Sequence, residues 1–78
     1  MNKLTNRLRV YRTAAALTQA ALAERVRVSR KTINTIENAI FIPSTVLALR
    51  LAAVFDCHVE DIFALAPDDP NSNFRPNQ

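Results

Sequence analysis

Four polar side chains within one short segment have the chemistry needed to hydrogen-bond the edges of DNA bases. They are Arg30, Lys31, Asn34 and Thr35. Ser29, a residue type that caps helix starts, comes directly before them. On a helix that begins there, Ile33 and Ile36 face inward and the four polar residues project outward. Arg and Lys suit guanine O6 and N7, Asn suits adenine, and Thr can contact a base or a thymine methyl group. The pattern predicts a base-reading helix over residues 29–38.

Short polar residues at two predicted helix starts are suited to phosphate groups. Thr18 and Gln19 lie at the first start, where backbone N–H groups and the positive end of the helix dipole favour an anion. Ser29 and Thr32 lie at the second start. We expect these four residues to contact a nucleic-acid backbone. A capping or solvent-exposed role is the alternative for Gln19.

Five helices are predicted to position these residues, and the fold class is therefore all-α. Apolar spacing and capping residue types place the helices at residues 4–15, 19–26, 29–38, 45–55 and 59–65. Pro43 is expected in the first turn of the fourth helix, and His58 is expected to cap the fifth. Because only Arg27 and Val28 separate the second and third helices, these two should meet at a sharp angle.

Charge is divided unevenly along the chain. Residues 1–50 contain nine basic and two acidic residues, a formal charge of +7, whereas residues 51–78 contain one basic and five acidic residues, a charge of −4. This division predicts one face that meets a polyanion and another that faces away from it. The alternative is that the imbalance is ordinary surface charge, in which case Arg30 and Lys31 only form part of a solvated helix face.

Composition excludes several classes of protein. The 78 residues, 49% of them hydrophobic, suit one small domain with a single core. One cysteine, Cys57, allows no internal disulfide. No apolar stretch approaches the ~20 residues of a membrane span, and the first residues do not form a secretory signal. We therefore expect a cytoplasmic protein.

No catalytic or metal-binding set is evident in the sequence. Cys57 and His58 supply two ligands where structural zinc needs four. Glu60 and Asp61 are neighbours on a helix and so point in different directions. We predict no enzymatic activity, no metal and no cofactor.

Apolar residues on the fourth helix and in the link before it exceed what a lone small domain needs. The link contains Ile40, Phe41 and Ile42, which either pack on the fourth helix or form a partner surface. Val46, Leu49 and Val54 add further apolar faces to that helix. Together these residues predict a homodimer, which on DNA would bind half-sites about one helical turn apart.

Residues 17–38 contain the segments Leu-Thr-Gln, Leu-Ala-Glu, Val-Ser-Arg-Lys-Thr-Ile and Ile-Glu-Asn. In this order and spacing they resemble the helix-turn-helix of phage-repressor and Cro-like transcription regulators. The resemblance covers about residues 4–65. It implies a compact repressor-like domain that binds double-stranded DNA in a sequence-specific way and regulates transcription.

The resemblance also implies roles for individual residues. It supports base readout by Arg30, Lys31 and Thr35, and phosphate contacts by Gln19 and Asn38. It further implies an ion pair between Arg12 and Glu37 that ties the first helix to the end of the third. We expect this pair to set the angle of the base-reading helix more than it adds stability.

The chain has no glycine, which departs from the family pattern. Related sequences usually carry glycine where a left-handed residue ends a helix. The corresponding residues are Ala16, Arg27, Ala39 and Asp56. Either these residues adopt positive φ, at a cost of about 1 kcal/mol each, or the turns have another shape. Arg27 could gain a phosphate contact in exchange.

The last twelve residues, 67–78, are rich in proline and asparagine and predict a flexible tail after a domain at 1–66. This tail leads to the main alternative function. The protein would be the antitoxin of a toxin–antitoxin pair that regulates its own gene, and Phe74 and Arg75 would anchor the toxin. Non-specific packaging of nucleic acid is a further alternative, although it would require basic charge over the whole surface.

Overall fold

The computed structural model describes residues 3–72, which form five helices and a small two-stranded sheet. The elements are β1 (Leu4–Asn6), α1 (Leu8–Ala14), α2 (Gln19–Val26), α3 (Arg30–Glu37), α4 (Thr45–Val54), α5 (Val59–Ile62) and β2 (Phe63–Leu65). The five predicted helices are present. The all-α prediction is wrong in one respect, because the first and last described elements are strands.

The sheet joins the two ends of the folded region. Strands β1 and β2 are antiparallel, with Leu4 opposite Leu65 and Asn6 opposite Phe63. The backbone N–H of Arg7 donates to the carbonyl of Ile62 at 2.7 Å and continues the connection into α1. Residues 4–6 were therefore wrongly assigned to the first helix and residues 63–65 to the fifth. Leu4 and Leu8 have helical spacing, and a strand of three residues is too short to show a clear alternation.

The core lies where the helices meet. Its fully enclosed side chains are Leu8, Leu22, Val26, Ile33, Ile36, Leu51 and Ile62. Phe63, the first residue of β2, is also buried. The rings of Tyr11 and Phe55 pack at the edge of the core with centroids 5.8 Å apart. The predicted inward positions of Ile33 and Ile36 on α3 are thus confirmed.

Side chains immediately before the helices fix where three of them begin. Thr18 Oγ1 accepts from the N–H of Ala21 before α2, and Ser29 Oγ accepts from that of Thr32 before α3. Ser44 caps α4, so Pro43 lies outside that helix rather than in its first turn. A proline there disfavours helical geometry in the residue before it and keeps the link extended.

Four helices end in the same left-handed turn. Ala16, Arg27, Ala39 and Asp56 have φ between 51° and 64°. In the turn after α3, the N–H of Ala39 donates to the carbonyl of Ile36, and the N–H of Ile40 donates to the carbonyl of Thr35, both at 2.9 Å. The other three turns have the same two bonds, which define the Schellman motif. The first of the two alternatives for these glycine-free turns is therefore the one the structure adopts.

Beyond β2, residues 67–72 form a series of turns on the surface. The N–H of Asp69 donates to the carbonyl of Ala66, and that of Ser72 donates to the carbonyl of Asp69. Phe74 and Arg75, the predicted toxin anchors, lie outside the described residues. The boundary at residue 66 stays a prediction. Within residues 3–72, no helix has the length and apolar character required to span a membrane.

Candidate nucleic-acid interface

Helix α3 presents a polar face to solvent and an apolar face to the core. Ile33 and Ile36 are fully buried, whereas Arg30, Lys31 and Asn34 are exposed. Three of the four predicted base readers therefore share the open side of this helix. Thr35 is half-buried, and its hydroxyl donates to the carbonyl of Thr32 at 2.9 Å. The hydroxyl oxygen of Thr35 can still accept a hydrogen bond, and its methyl group can make an apolar contact.

Four of the five residues predicted to contact phosphate stand at the starts of α2 and α3, and Asn38 stands at the end of α3, but several of them are engaged within the protein. Thr18 caps α2, and the hydroxyls of Ser29 and Thr32 lie 3.0 Å apart at the start of α3. The first backbone N–H groups of α2, those of Gln19 and Ala20, have no acceptor within residues 3–72. These N–H groups, rather than the hydroxyls, form the unoccupied donor surface at that helix start.

The ion pair expected between Arg12 and Glu37 is present. Arg12 Nε lies 2.6 Å from Glu37 Oε2, and Arg12 Nη2 donates to Oε1 at 3.1 Å. Arg12 Nη1 donates to the carbonyl of Leu17 at 3.0 Å. One guanidinium therefore connects α1, the turn before α2 and the end of α3. The side chain of Glu37 is 0% exposed and that of Arg12 is 14% exposed.

Two more side chains donate to Glu37, and the sequence analysis missed both contacts. Gln19 Nε2 lies 3.1 Å from Oε1, and Arg9 Nε lies 3.2 Å from the same oxygen. Arg9 is 58% exposed along its side chain. It could have been found by its position one turn before Arg12 on α1. Glu37 is thus a carboxylate shared by α1, α2 and α3.

A chain of amide groups completes a ring with Glu37. Gln19 Nε2 also donates to Asn34 Oδ1 at 3.2 Å, and Asn38 Nδ2 donates to the same oxygen at 3.3 Å. Arg9 Nη2 donates to Asn38 Oδ1 at 3.4 Å. We call these five residues (Arg9, Gln19, Asn34, Glu37 and Asn38) the amide ring. It brings together three predicted DNA-contacting residues and holds their side chains in defined orientations.

Hydrogen bonds decide the charge state of Glu37. Burial raises the pKa of this carboxyl, but hydrogen bonds from Arg12, Gln19 and Arg9 outweigh it, and the net shift of the pKa is downward. The same interaction raises the pKa of Arg12 above its ordinary value. Both groups are therefore charged at neutral pH.

A helix-turn-helix domain model matches residues 3–65 of the chain. The chain belongs to the helix-turn-helix family of transcriptional regulators. An uncharacterised HTH-type transcriptional regulator of Methanocaldococcus jannaschii is 41% identical over 85% of this chain and all of its own length. The uncharacterised HTH-type transcriptional regulator YgzD of Bacillus subtilis is 32% identical over 85% of this chain and all of its own length. The resemblance based on residues 17–38 is confirmed.

Solved structures agree with this helix-turn-helix assignment. The restriction-modification controller protein C.AhdI of Aeromonas hydrophila is 33% identical, with a TM-score of 0.66 over 70% of this chain and 83% of its own. The SOS-response repressor LexA of Eubacterium rectale is 28% identical, with a TM-score of 0.66 over 87% of this chain and 68% of its own. In the present helix-turn-helix protein, α2 and α3 are the two helices of the motif.

Unpaired basic groups extend beyond the helix-turn-helix. Arg25 and Arg27 at the end of α2, together with Arg50 of α4, line a shallow groove of about 520 Å³ with Ala53 and Val54. None of the three arginines has an ion-pair partner among residues 3–72. The groove was not predicted, because it depends on how α2 packs on α4. It adds to the positive potential of the basic half of the chain.

Cys57 and His58 lie at the start of α5. Burial, followed by the charges of Asp61 and Asp56, raises the pKa of the Cys57 thiol. His58 is the N-cap of α5, as predicted, and its backbone N–H donates to Asp61 Oδ2 at 2.9 Å. Residues 3–72 contain no cluster of three or more side chains suited to hold a metal ion.

Proposed function

We propose that this protein regulates transcription by inserting α3 into the major groove of specific double-stranded DNA sites. The observation that supports this most strongly is the exposed polar face of α3, whose far end is fixed to α1 and α2 through Glu37. A major groove about 12 Å wide accommodates one helix with its side chains. A helix that is held along its apolar face and at its C-terminal end can present those side chains at a constant depth.

Arg30 and Lys31 are the principal base readers in this proposal. Both are exposed in the first turn of α3 and are suited to guanine O6 and N7. Thr35, one turn later, would contact a thymine methyl group or a base edge. Asn34 lies between them on the same exposed side.

Phosphate contacts would position α3 without reading sequence. The N–H groups at the start of α2, beside Thr18 and Gln19, have the positive end of a helix dipole behind them. Ser29 and Thr32 mark the start of α3, and Asn38 marks its end. Because both N–H groups of the Gln19 amide donate within the protein, its backbone N–H is the better phosphate donor.

A homodimer is the form that we propose binds DNA. Ile40 is 74% exposed, and Val46 and Leu49 are each 57% exposed, although all three are large apolar residues. Phe41 and Ile42 are exposed as well, which supports the partner-surface alternative for the link. Val54 packs against the core, so it is removed from the predicted interface. Two-fold symmetry would place two α3 helices about one DNA turn, roughly 34 Å, apart.

Selection of bound sequences from random double-stranded DNA tests this function. We expect a two-fold symmetric enriched site. Arg30→Ala should weaken binding to that site by about 1–3 kcal/mol and relax the preference at one base position in each half-site. Arg7→Ala, which removes an exposed arginine next to α1, is the matched control and should retain the preference. Absence of any enriched sequence would contradict the proposal.

A further inference from the structure

The orientation of every amide in the amide ring is determined by the charged groups of Glu37 and Arg9. A carboxylate only accepts hydrogen bonds, so the Gln19 amide must turn its nitrogen toward Glu37. A guanidinium only donates, so the Asn38 amide must turn its oxygen toward Arg9. Both amides consequently direct N–H groups at the oxygen of Asn34.

The oxygen of Asn34 is therefore fully used inside the protein. A carbonyl oxygen has two lone pairs, and those of Asn34 Oδ1 accept from Gln19 and Asn38. Asn34 Nδ2 has no acceptor within residues 3–72, and the residue is exposed on the open side of α3. What Asn34 presents to a ligand is a pair of N–H donors without an accessible acceptor.

We propose that Asn34 acts as a donor-only reader that selects guanine over adenine at the base pair it faces, and that Gln19 and Asn38 are the positioning residues that impose this choice. The inference rests on the proposed function, since it requires α3 to lie in the major groove. It assigns the opposite preference from the one expected of an isolated asparagine.

The preference follows from the hydrogen-bonding groups of each base. Asparagine reads adenine with two bonds, because its oxygen accepts from N6 and its nitrogen donates to N7. With the oxygen of Asn34 occupied, the first bond is lost and the N6 amino group faces another donor. Guanine offers two acceptors, N7 and O6, at the same edge. Thymine offers one acceptor, O4, and cytosine presents its N4 donor.

Site selection with the wild-type chain and with Asn34→Ala tests the inference first. The base pair whose preference Asn34→Ala abolishes should be guanine in the wild-type site. Replacing that guanine by 7-deazaguanine, which lacks the N7 acceptor, should weaken wild-type binding by roughly 5- to 10-fold. The same replacement should have little further effect on Asn34→Ala, because the donor it pairs with is already absent.

A variant that opens the amide ring tests the positioning residues. Gln19→Ala combined with Asn38→Ala frees the oxygen of Asn34 and should move the preference from guanine toward adenine by on the order of 10-fold. Arg7→Ala is the matched control, because it removes an exposed arginine outside the amide ring and leaves both donors on Asn34 in place. Its preference should remain guanine. Thermal unfolding of each variant shows whether the domain is folded.

The outcomes separate this inference from the proposed function. Adenine at the Asn34-dependent position of the wild-type site overturns the inference and leaves sequence-specific binding intact, as does an Asn34→Ala variant with unchanged preferences. Failure to enrich any sequence overturns both. If the double variant does not fold, the 7-deazaguanine measurement on the intact chain still decides between guanine and adenine.

Discussion

Glu37 of α3 accepts two hydrogen bonds from the guanidinium of Arg12 of α1, at 2.6 and 3.1 Å, and its own side chain is inaccessible to solvent. The same guanidinium bonds the carbonyl of Leu17 just before α2. Because α3 begins at a sharp turn and ends at Glu37, this contact fixes the end of α3 that the turn does not hold. The angle at which α3 would enter the groove therefore depends on a residue of α1.

Arg12→Ala should destabilise the domain and weaken DNA binding together. The substitution leaves the carboxylate of Glu37 buried without its principal partner, a change that costs about 3 kcal/mol in comparable sites. For a domain of this size, each kcal/mol corresponds to a fall of roughly 4–8 °C in Tm. Thermal unfolding and titration with an operator give the two measurements.

Arg9→Ala provides the comparison for Arg12→Ala. Arg9 also bonds Glu37, at 3.2 Å, but its side chain is largely exposed, and exposed pairs contribute about 1 kcal/mol or less. We expect a change of about 0.5 kcal/mol in unfolding free energy. Equal effects of the two substitutions would show that burial does not distinguish the arginines and would contradict this account.

Acid should unfold the protein partly through Glu37. Its pKa in the folded state is below the ordinary value, so the unfolded state binds a proton more readily. The stability gained from this group is fully present above the unfolded-state pKa of about 4.3 and is lost as pH falls through the folded pKa. The Glu37→Gln variant has no titratable group at this position. The stability difference between wild type and Glu37→Gln should therefore shrink below about pH 4 and stay constant above about pH 6. A difference that is unchanged down to pH 3 would contradict the assignment.

Local sequence signals predicted the parts of the fold that depend on neighbouring residues. Thr18 and Ser29 cap α2 and α3 through bonds to residues three positions later, so each helix start could be located without knowledge of the rest. The left-handed turns at Ala16 and Ala39 were instead one of two alternatives raised by the resemblance, because related sequences usually carry glycine at these helix ends. The spacing of Ile33 and Ile36 then indicated which side of α3 is buried.

Contacts between distant residues could not be predicted from the sequence in the same way. Thr5 donates to the carbonyl of Ala64, 59 residues away, and nothing in either three-residue strand indicates its partner. The amide ring depends on side chains from α1, α2 and α3 that meet only after these helices pack. The resemblance supplied the bond between Arg12 and Glu37, but it did not supply the contacts of Arg9 or of Gln19.

Leu49→Lys should convert the proposed homodimer to monomer. A charge placed at Leu49, one helical turn from the exposed Val46 on α4, would have to be desolvated in the interface. Analytical ultracentrifugation of wild type and variant measures the change in mass. Val10→Lys is the control, since Val10 is 63% exposed on α1 and should leave the dimer intact. A wild-type chain that remains monomeric at all concentrations and on DNA would contradict the interface.

Ala16→Gly and Ala39→Gly should each stabilise the domain. Both alanines hold φ near 58–59°, where the Cβ approaches the following carbonyl oxygen at a cost of about 1 kcal/mol that glycine avoids. We expect Tm to rise by several degrees for each change. Ala53→Gly, in the exposed last turn of α4, should instead lower stability by up to about 1 kcal/mol. A loss of stability in all three variants would exclude strain at the two turns.

Asn6→Ala should loosen the attachment of α3 to the start of α1. The Asn6 side chain accepts from the N–H of Leu8 at 3.1 Å and donates to the carbonyl of Ile36 at 2.9 Å, and this part-buried residue was not identified from the sequence. Its removal leaves both partners unsatisfied and should cost about 1–2 kcal/mol.

Asn6→Asp keeps the acceptor for Leu8 but loses the donor to Ile36, and it places a negative charge at the carbonyl end of α3. It should therefore be no more stable than Asn6→Ala, whereas Thr5→Ala, at a neighbouring exposed position, should cost less than 1 kcal/mol. Chemical denaturation of the three variants measures these differences. If Asn6→Asp were as stable as wild type, the bond to Ile36 would not hold α3 in place.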